Sequence, residues 1–272
     1  MDYLEKVKTE LKLKGRSNKT ISSYTFFIKN YLNVVKNPET ASLDEIKSYL
    51  ATLLDRYTNK SRSLAISSLR FLYTKIIKRQ DKIDILEILE TPKKEKTLPV
   101  VLTKEEVKSL INAAQFEKTK LMIKMLYSTG LRVSELVNLT PKDIDFKENI
   151  GWVRKGKGNK DRSFNLNEKL NKELTKYLEK NPKNKYLFSE EKPLSPRNIQ
   201  LILKRLSKRA NINKKISPHT LRHSFATHLL DRGENLLSIQ ELLGHENLET
   251  TKIYTHISRE QIKKVKTPLD DL

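Results

Sequence analysis

Apolar residues recur at the three- and four-residue spacing of an α-helix through most of the first 90 residues. Four such stripes can be traced, and each can bury one face of a helix against its neighbours. The stripes comprise Leu4, Val7 and Leu11; Ile21, Tyr24, Ile28, Tyr31, Leu32 and Val35; Ile46, Tyr49, Leu50, Leu53 and Leu54; and Leu69, Leu72, Tyr73, Ile76 and Ile77. Gly15, the Asn37-Pro38 pair and Asn59 interrupt the pattern. Residues 1–90 are therefore predicted to form a four-helix bundle.

The periodic pattern stops at residues 91–99, a charged stretch that contains two prolines. This composition is typical of an extended linker. Directly after it, Thr103 and Glu106 have the spacing of a capping box, in which the two side chains satisfy backbone N–H groups of the first helical turn. We therefore expect a linker over residues 91–99 and a second domain over residues 97–272.

One segment of the second domain has the composition of β-structure. Residues 149–154 and 162–166 are strand-like runs, and the connector between them contains two glycines and an asparagine that can adopt the φ angles of a hairpin turn. The remainder is predicted to be helical, including Pro196–Ala210, Pro218–Asp231 and Leu236–Leu243. The predicted fold is mainly α, with a small antiparallel β-hairpin or sheet in the second domain.

The chain is strongly basic, with 54 Lys and Arg against 33 Asp and Glu and a formal net charge of +21. Residues 1–90 hold 17 basic and 11 acidic side chains, so they carry +6 and the remainder carries +15. A charge of this size opposes compact folding unless an anionic partner neutralises part of it. Nucleic acid is the first candidate for this partner, and an anionic membrane surface is the second. The alternative without a partner is that the proteins of the host are generally rich in lysine. Because both parts are basic, we expect two domains that grip one polyanion.

Several classes of protein are excluded by features that the sequence lacks. There is no cysteine, which excludes disulfides, thiolate metal sites and cysteine nucleophiles. The N-terminus has no apolar signal-peptide core, and no apolar stretch approaches the roughly 18 residues of a membrane span. We therefore expect a soluble, cytoplasmic protein without a membrane partner. No zinc-ligand spacing and no nucleotide-binding P-loop is recognisable, so neither a metal nor a cofactor is predicted.

All five histidines lie in the last fifth of the chain. Ser217 and the proline after it have the order of an N-cap and a first helical residue, which places His219 in the first turn and Arg222 on the same face. Backbone N–H groups, an imidazole and a guanidinium are then expected to converge at one helix N-terminus, where a phosphate binds well. His223 and His228 are interpreted as packing or supporting residues.

Arg132 follows Gly130 in an otherwise apolar run, so burial of its guanidinium requires a partner. Glu135, three residues later, can be that partner. The pair has two interpretations, a structural ion pair or an arginine held at the edge of a cleft. Lys157 lies near the tip of the predicted hairpin, and a lysine there is usually only solvated.

Four segments together resemble the tyrosine recombinases, in the order and spacing of that family. They are T-G-L-R-V-S-E-L (129–136), G-K-G-N-K-D-R (156–162), S-P-H-T-L-R-H-S-F-A-T-H-L-L (217–230) and L-L-G-H-E-N-L-E-T-T-K-I-Y-T-H (242–256). Within the family they are most similar to the Xer group, which resolves chromosome dimers during chromosome partition and cell division. The resemblance covers the whole chain. It implies an N-terminal SAM-like core-binding domain, a linker and a mostly helical catalytic domain.

The resemblance also implies a set of catalytic residues: Arg132, Lys157, His219, Arg222, His245 and Tyr254. In this family the two arginines clamp the non-bridging oxygens of the scissile phosphate and His245 hydrogen-bonds the same phosphate. His219 acts as a general acid and base near the nucleophile, Tyr254, which forms a 3′-phosphotyrosyl bond. Lys157 protonates the leaving 5′-oxygen, and Glu135 supports the first arginine. Transesterification conserves the phosphodiester energy, so the implied reaction requires neither ATP nor a metal.

The implied partners are a double-stranded DNA recombination site and three further copies of the chain, which form a tetramer on two sites. Ile257, Ile262 and Val265 in the tail are apolar positions of a C-terminal helix that, in this family, docks into a neighbouring protomer. A DNA translocase or a paralogous recombinase can act as a further partner. The alternatives are a type IB topoisomerase, a DNA-binding architectural factor without catalysis, and a mobile-element integrase. The filled motif positions argue against the architectural factor, and the lack of room for an arm-binding domain before the first helix favours the Xer-like interpretation over the integrase.

Overall fold

The computed structural model of the chain describes residues 2–79, 99–154 and 161–244. The chain divides into two compact units, residues 1–97 and 98–272, and each has a hydrophobic core of its own. Residues 91–98 of the predicted linker lie outside the described residues. Among the described residues, no helix combines the length and the apolar character needed to cross a membrane.

The first unit consists, in its described part, of four α-helices, as the apolar stripes predicted. They are α1 (Tyr3–Leu13), α2 (Asn18–Val34), α3 (Leu43–Arg56) and α4 (Asn59–Phe71), and α4 continues into a π-helical turn over Leu72–Ile77. Polar side chains explain where two of the helices begin. The Ser17 hydroxyl accepts a hydrogen bond from the N–H of Thr20, and Ser42 forms a capping box with Glu45.

Most of the predicted stripe residues are buried between these helices, but the stripes are not correct in every position. Leu54 was included in the third stripe and is exposed, because it lies about 100° further around α3 than the buried Leu53. The fourth stripe predicted one regular helix, whereas Ile76 and Ile77 belong to the π-helical turn. A π turn holds more residues than an α turn, and this one ends at Lys78, whose φ is 61°.

The core of the first unit contains a neutral polar network. Tyr31 and Tyr73 are fully buried, and their hydroxyl oxygens are 2.5 Å apart. The Tyr73 hydroxyl also donates to the carbonyl of Pro38 at 3.1 Å, so the Tyr31 hydroxyl is the donor between the two tyrosines. Burial, and then the hydrogen bond to Tyr73, raise the pKa of Tyr31 well above its ordinary value. The Tyr31 hydroxyl therefore stays neutral, and both hydroxyls act as structural hydrogen-bonding groups.

The second unit is also mainly helical. Its α-helices are α5 (Lys104–Asn112), α6 (Glu117–Thr129), α7 (Val133–Asn138), α8 (Glu168–Lys180), α9 (Pro196–Arg209), α10 (Pro218–Asp231) and α11 (Leu236–Leu243). The predicted capping box of Thr103 and Glu106 is present at the start of α5. The predicted helix starts at residues 196, 218 and 236 agree with the structure, because Pro196 and Pro218 are first helical residues and Ser217 and Asn235 are N-caps.

In the described part of the second unit, the sheet has three antiparallel strands in the order β1 (Ile144–Asp145), β2 (Ile150–Val153) and β3 (Arg162–Asn165). Strands β2 and β3 are the predicted hairpin, and β1 was not predicted because two residues carry no recognisable alternation. Gly151 lies opposite Phe164, and a Cβ at Gly151 would lie 2.2 Å from the Phe164 ring. The mainly α fold with a small antiparallel sheet is thus confirmed.

A small apolar cluster joins α10 and α11. Ala226 of α10 and Ile239 and Leu243 of α11 are fully buried, and Phe225 packs against them. The C-terminal end of α11 is therefore held against α10. This contact determines where the carbonyl groups of residues 242–244 point.

Candidate active site

The bend between α6 and α7 places Arg132. Helix α6 ends at Gly130, whose φ is 61°, and Arg132 is the N-cap of α7. A Cβ at Gly130 would lie 2.6 Å from the Phe225 ring and 2.9 Å from a methyl group of Leu243. Only glycine therefore allows this bend to lie so close to α10 and α11, because a side chain would add both a clash and the strain of a positive φ.

Glu135 is a buried carboxylate between two arginines. Its Oε1 accepts from Nη1 of Arg132 at 2.7 Å, and its Oε2 accepts from Nη2 of Arg162 at 2.7 Å and from the backbone N–H of Arg132 at 2.8 Å. Only 6% of the Glu135 side chain is exposed. Burial alone would raise the pKa of this carboxyl, but the charge of Arg162 and the hydrogen bonds from both arginines outweigh it and hold the pKa below its ordinary value. The carboxylate is therefore ionised.

Arg222 projects from α10 towards two backbone carbonyls. Its Nη2 donates to the carbonyl of Leu243 at 2.5 Å, and its Nη1 donates to the carbonyl of Gly130. Only 4% of this residue is exposed. The predicted arginine on α10 is thus present and buried, and backbone dipoles take part in compensating its charge.

Three arginines converge on the C-terminal end of α11. Arg162, Arg222 and Arg132 donate to three consecutive carbonyls, those of Leu242, Leu243 and Gly244 respectively. The last carbonyls of a helix lack partners within the helix and carry the negative end of its dipole, so they attract cations. We call Arg132, Arg162, Arg222 and Glu135 the arginine cluster.

The charge of the arginine cluster is unbalanced. Within the four residues of the cluster, three guanidinium groups stand against one carboxylate, that of Glu135, and the carbonyl dipoles add further negative potential. Guanidinium groups bind phosphate with two parallel hydrogen bonds, and each offers five N–H donors. The cluster therefore has the charge and the donors to hold a phosphate group.

The ion pair between Arg132 and Glu135 was predicted from the sequence and is confirmed. Arg162 ends the motif over residues 156–162, and the sequence predicted no role for it. Strand alternation contains a signal for it, because Arg162 and Phe164 lie two residues apart on one face of β3 and Phe164 is buried. A buried arginine could thus have been predicted there.

The start of α10 agrees with the sequence in part. Ser217 is the N-cap, Pro218 is the first helical residue, and His219 lies exposed in the first turn. One of the backbone N–H groups expected to be open to an anion, that of Thr220, donates instead to the Ser217 hydroxyl at 3.2 Å. Arg222, about one turn further along α10, donates to the carbonyls of Gly130 and Leu243. Convergence of His219 and Arg222 on one phosphate remains a prediction.

Three predicted catalytic residues, Lys157, His245 and Tyr254, lie outside the described residues. The predicted tail positions, Ile257, Ile262 and Val265, also lie outside them. Roles for these residues rest on the sequence alone.

Two further histidines of α10 have the environment of supporting residues. Nδ1 of His228 is 2.7 Å from the hydroxyl of Tyr127, and the two rings make an edge-to-face contact. Burial lowers the pKa of His228. Burial, followed by the charges of His219 and Arg222, lowers the pKa of His223. Both imidazoles are therefore neutral near pH 7, as packing residues usually are.

A basic groove runs along α9 and the segment before α10. Its volume is about 560 Å³, and its basic lining residues are Arg197, Lys204, Lys208, Lys214 and Lys215. Lys214 donates to Glu106 at 2.7 Å and to the carbonyl of Val101 at 3.0 Å. These bonds tie the groove to the start of α5.

Two family models match the chain. The model described as the phage integrase family matches residues 100–261, and the model described as the phage integrase N-terminal SAM-like domain matches residues 3–83. The first match contains every residue of the arginine cluster.

Proteins similar along nearly their whole length are tyrosine recombinases. The chain is 38% identical to the tyrosine recombinase XerA of Pyrococcus horikoshii, over 97% of this chain and 94% of that one. It is 36% identical to the tyrosine recombinase XerD of Staphylococcus epidermidis, over 98% and 96% of the two chains.

Solved structures agree with these matches. The crystal structure of a XerA recombinase is 32% identical, covers 97% of this chain and 96% of its own, and superposes with a TM-score of 0.57. A XerH site-specific recombinase bound to its difH substrate has a TM-score of 0.76 at 23% identity, covering 96% and 82% of the two chains, which shows a shared fold. The chain therefore belongs to the phage integrase family and is a tyrosine recombinase.

Proposed function

We propose that the chain is a site-specific DNA recombinase that cuts and rejoins double-stranded DNA through a covalent 3′-phosphotyrosyl bond to Tyr254. The observation that carries this proposal is the arginine cluster at the end of α11. It is a partly buried, positively charged site that suits a phosphate group, and the chain continues from it to His245 and Tyr254. The relatives that match nearly the whole chain are tyrosine recombinases, which supports the same function.

The arginine cluster supplies the electrostatic part of the proposed reaction. Negative charge accumulates on the non-bridging oxygens when a nucleophile adds to a phosphodiester, and positioned cations lower the free energy of that state. Arg132 and Arg222 would bind these oxygens, and His245 would donate a further hydrogen bond. Glu135 would hold Arg132 in place through its bond at 2.7 Å. A preorganised guanidinium needs little rearrangement when the charge develops.

Proton transfers complete the proposed reaction. A phenol has a pKa of about 10, so Tyr254 needs a base or a positive field to attack phosphorus at neutral pH. His219 would take the phenolic proton while the phosphorus–O5′ bond breaks, and Lys157 would donate a proton to the leaving 5′-oxygen. The reverse sequence, with the 5′-hydroxyl of another strand as nucleophile, rejoins the DNA. The phosphodiester energy is conserved in the phosphotyrosyl bond, so no ATP or metal is needed.

Charge supports a grip on DNA by both parts of the chain. We propose that residues 1–90 form the core-binding domain and residues 97–272 the catalytic domain, and both are basic. The basic groove along α9 offers further contacts to phosphates. Binding should therefore weaken steeply as the salt concentration rises.

The biological role proposed for the enzyme is the resolution of chromosome dimers, as in the Xer group that the motifs resemble. Two DNA sites would be held by a tetramer, with the tail around Ile257, Ile262 and Val265 docked into a neighbouring protomer. A translocase or a paralogous recombinase can act with it. Such a protein would work in the cytoplasm.

The covalent bond to Tyr254 can be tested with a nicked suicide duplex that carries the binding site found by footprinting chromosomal fragments. The wild-type chain should form an adduct that survives denaturant, whereas Tyr254→Phe should bind the duplex and form none. Tyr186→Phe is the matched control, because it removes a phenolic hydroxyl from the same unit and should leave adduct formation unchanged. An adduct at the wild-type level with Tyr254→Phe would assign the nucleophile to another tyrosine.

The same proteins distinguish a recombinase from a topoisomerase. A plasmid with two binding sites should yield recombinant circles with the wild-type chain in excess EDTA and without a nucleotide. Relaxation of any supercoiled plasmid, with neither site preference nor recombinants, would instead identify a type IB topoisomerase.

A further inference from the structure

Arg162 is a buried arginine to which the proposed reaction assigns no task. It is the first residue of β3, and only 9% of its side chain is exposed. Its Nη2 donates to Oε2 of Glu135 at 2.7 Å, and its Nη1 donates to the carbonyl of Leu242. One guanidinium therefore connects a strand, a carboxylate of α7 and the end of α11.

We propose that Arg162 is a positioning residue for the DNA cleavage reaction. It orients the Glu135 carboxylate that holds Arg132, and it anchors the C-terminal end of α11 beside that carboxylate. The proposal rests on the proposed function of the chain. Arg162 acts through these neighbours, and it is not assigned a contact with DNA.

Arginine is required at position 162 because this side chain binds Glu135 and the carbonyl of Leu242 at the same time. The two Nη atoms of a guanidinium lie at fixed positions in one plane, so one side chain can bind a carboxylate and a carbonyl in fixed relative positions. The three donors of a lysine ammonium radiate from one nitrogen atom, so they cannot reproduce the fixed spacing of the two Nη atoms. Arg162→Lys should therefore keep the charge beside Glu135 and lose the fixed distance between Glu135 and α11.

Gly244 provides independent evidence that the end of α11 is shaped around Arg162. Its φ is 61°, and a Cβ there would lie 2.6 Å from Cδ and 3.2 Å from Nε of Arg162. The space beside Gly244 is therefore occupied by the arginine side chain, so that the helix end and the arginine stem pack directly against each other. Any side chain at position 244 would push Arg162 away from Leu242.

Loss of Arg162 should also change how activity depends on pH. Burial raises the pKa of Glu135, and the charge of Arg162 is the first of the effects that lower it. Without Arg162, the pKa of Glu135 rises, and the carboxylate becomes protonated at a higher pH than in the wild-type chain. Activity should then be lost at higher pH when the solution is acidified, because protonated Glu135 no longer holds Arg132. A role in folding alone would not move the pH profile.

The test measures single-turnover cleavage of the footprinted suicide duplex from pH 5 to pH 9 with the full-length chain. Arg162→Met should cleave on the order of 10–100-fold more slowly at saturating DNA, with the acidic limb of its profile moved towards neutral pH. Its affinity for the duplex should stay within about twofold, because buried Arg162 is not a phosphate contact. Arg162→Lys should restore the position of the acidic limb but only part of the rate.

A second pair of variants keeps the proposal testable if Arg162→Met does not fold. Gly244→Ala and Gly233→Ala both place alanine at a positive φ, of 61° and 91°, but nothing lies within 4 Å of a Cβ at Gly233. Gly244→Ala should lower the cleavage rate by about tenfold or more, and Gly233→Ala should cleave at the wild-type rate. The proposal would be overturned if Arg162→Lys and Gly244→Ala both cleaved at the wild-type rate with the wild-type pH profile. That outcome would not affect the assignment of Tyr254 as the nucleophile of the wild-type chain. A wild-type chain that forms no adduct would instead refute the proposed function.

Discussion

The two units bury polar groups in opposite ways. In the first, Tyr31, Tyr73 and the carbonyl of Pro38 form a neutral chain of hydrogen bonds inside a helical bundle. In the second, the arginine cluster places three guanidinium groups and one carboxylate at a helix end. The first arrangement is a closed set of neutral donors and acceptors, whereas the second carries an excess of positive charge.

This difference indicates that the tyrosine network has a structural role and the arginine cluster a functional one. Neutral hydroxyls with partners stabilise a core and have nothing left to offer a ligand. Burying a cation costs free energy, and packed apolar residues at the same positions would often stabilise the fold equally well. A buried group of cations is therefore better explained by an anionic ligand that neutralises it. The comparison therefore predicts that variants of the arginine cluster affect cleavage first and that variants of the tyrosine network affect stability alone.

The largest effect is expected from Arg222→Lys. This variant keeps the charge but cannot reproduce a bidentate grip on a phosphate, so single-turnover cleavage of the suicide duplex should fall about 10²–10³-fold. The matched control is Arg209→Lys, an exposed arginine at the end of α9 outside the basic groove, which should cleave within about twofold of the wild-type rate. Cleavage by Arg222→Lys at the wild-type rate would contradict the assignment of the arginine cluster to the reaction.

A stability effect of intermediate size is expected from Glu135→Gln. Loss of the buried carboxylate leaves Arg132 and Arg162 without their common partner, and breaking a buried ion pair costs about 3–5 kcal/mol of unfolding free energy. The matched control Glu173→Gln removes a partly exposed pair with Lys124 and should cost about 1 kcal/mol or less. Denaturant unfolding at pH 7 measures both.

The pH dependence of this effect has a definite sign. The folded-state pKa of Glu135 lies below its ordinary value, so its contribution is complete above the unfolded pKa of about 4.3. It is lost as the pH falls through the depressed folded-state pKa. The wild-type chain and Glu135→Gln should therefore differ most near neutral pH and converge in acid. A difference that grows on acidification would show that Glu135 is protonated in the folded state.

The smallest effect is expected from the tyrosine network. Tyr73→Phe removes the donor to Pro38 and the acceptor for Tyr31, which should cost about 1–3 kcal/mol of unfolding free energy. Tyr31→Phe leaves the bond between Tyr73 and Pro38 in place and should cost about 0.5–1.5 kcal/mol. Neither variant should change the cleavage rate at saturating DNA. A slowed reaction in either would show that the first unit's core contributes to catalysis.

Prediction from the sequence succeeded where the signal was local. The helix starts at Thr103 and Ser217 depend on side chains within three residues, so both caps were predicted from the sequence. The Arg132–Glu135 pair also spans three residues and was predicted. The same local reasoning could not detect β1, the π-helical turn after α4 or the exposure of Leu54, because these depend on what packs against each segment.

The sequence by itself determined the helical fold class, the position of the hairpin, the excess of positive charge and the family motifs. The tertiary structure alone decided that Arg132, Arg162 and Arg222 meet at the end of α11 and that Arg162 shares Glu135 with Arg132. The physical reason is that apolar periodicity and capping are read within a few residues of the chain. The partners of a buried guanidinium, in contrast, come from elements as far as 112 residues apart in the sequence.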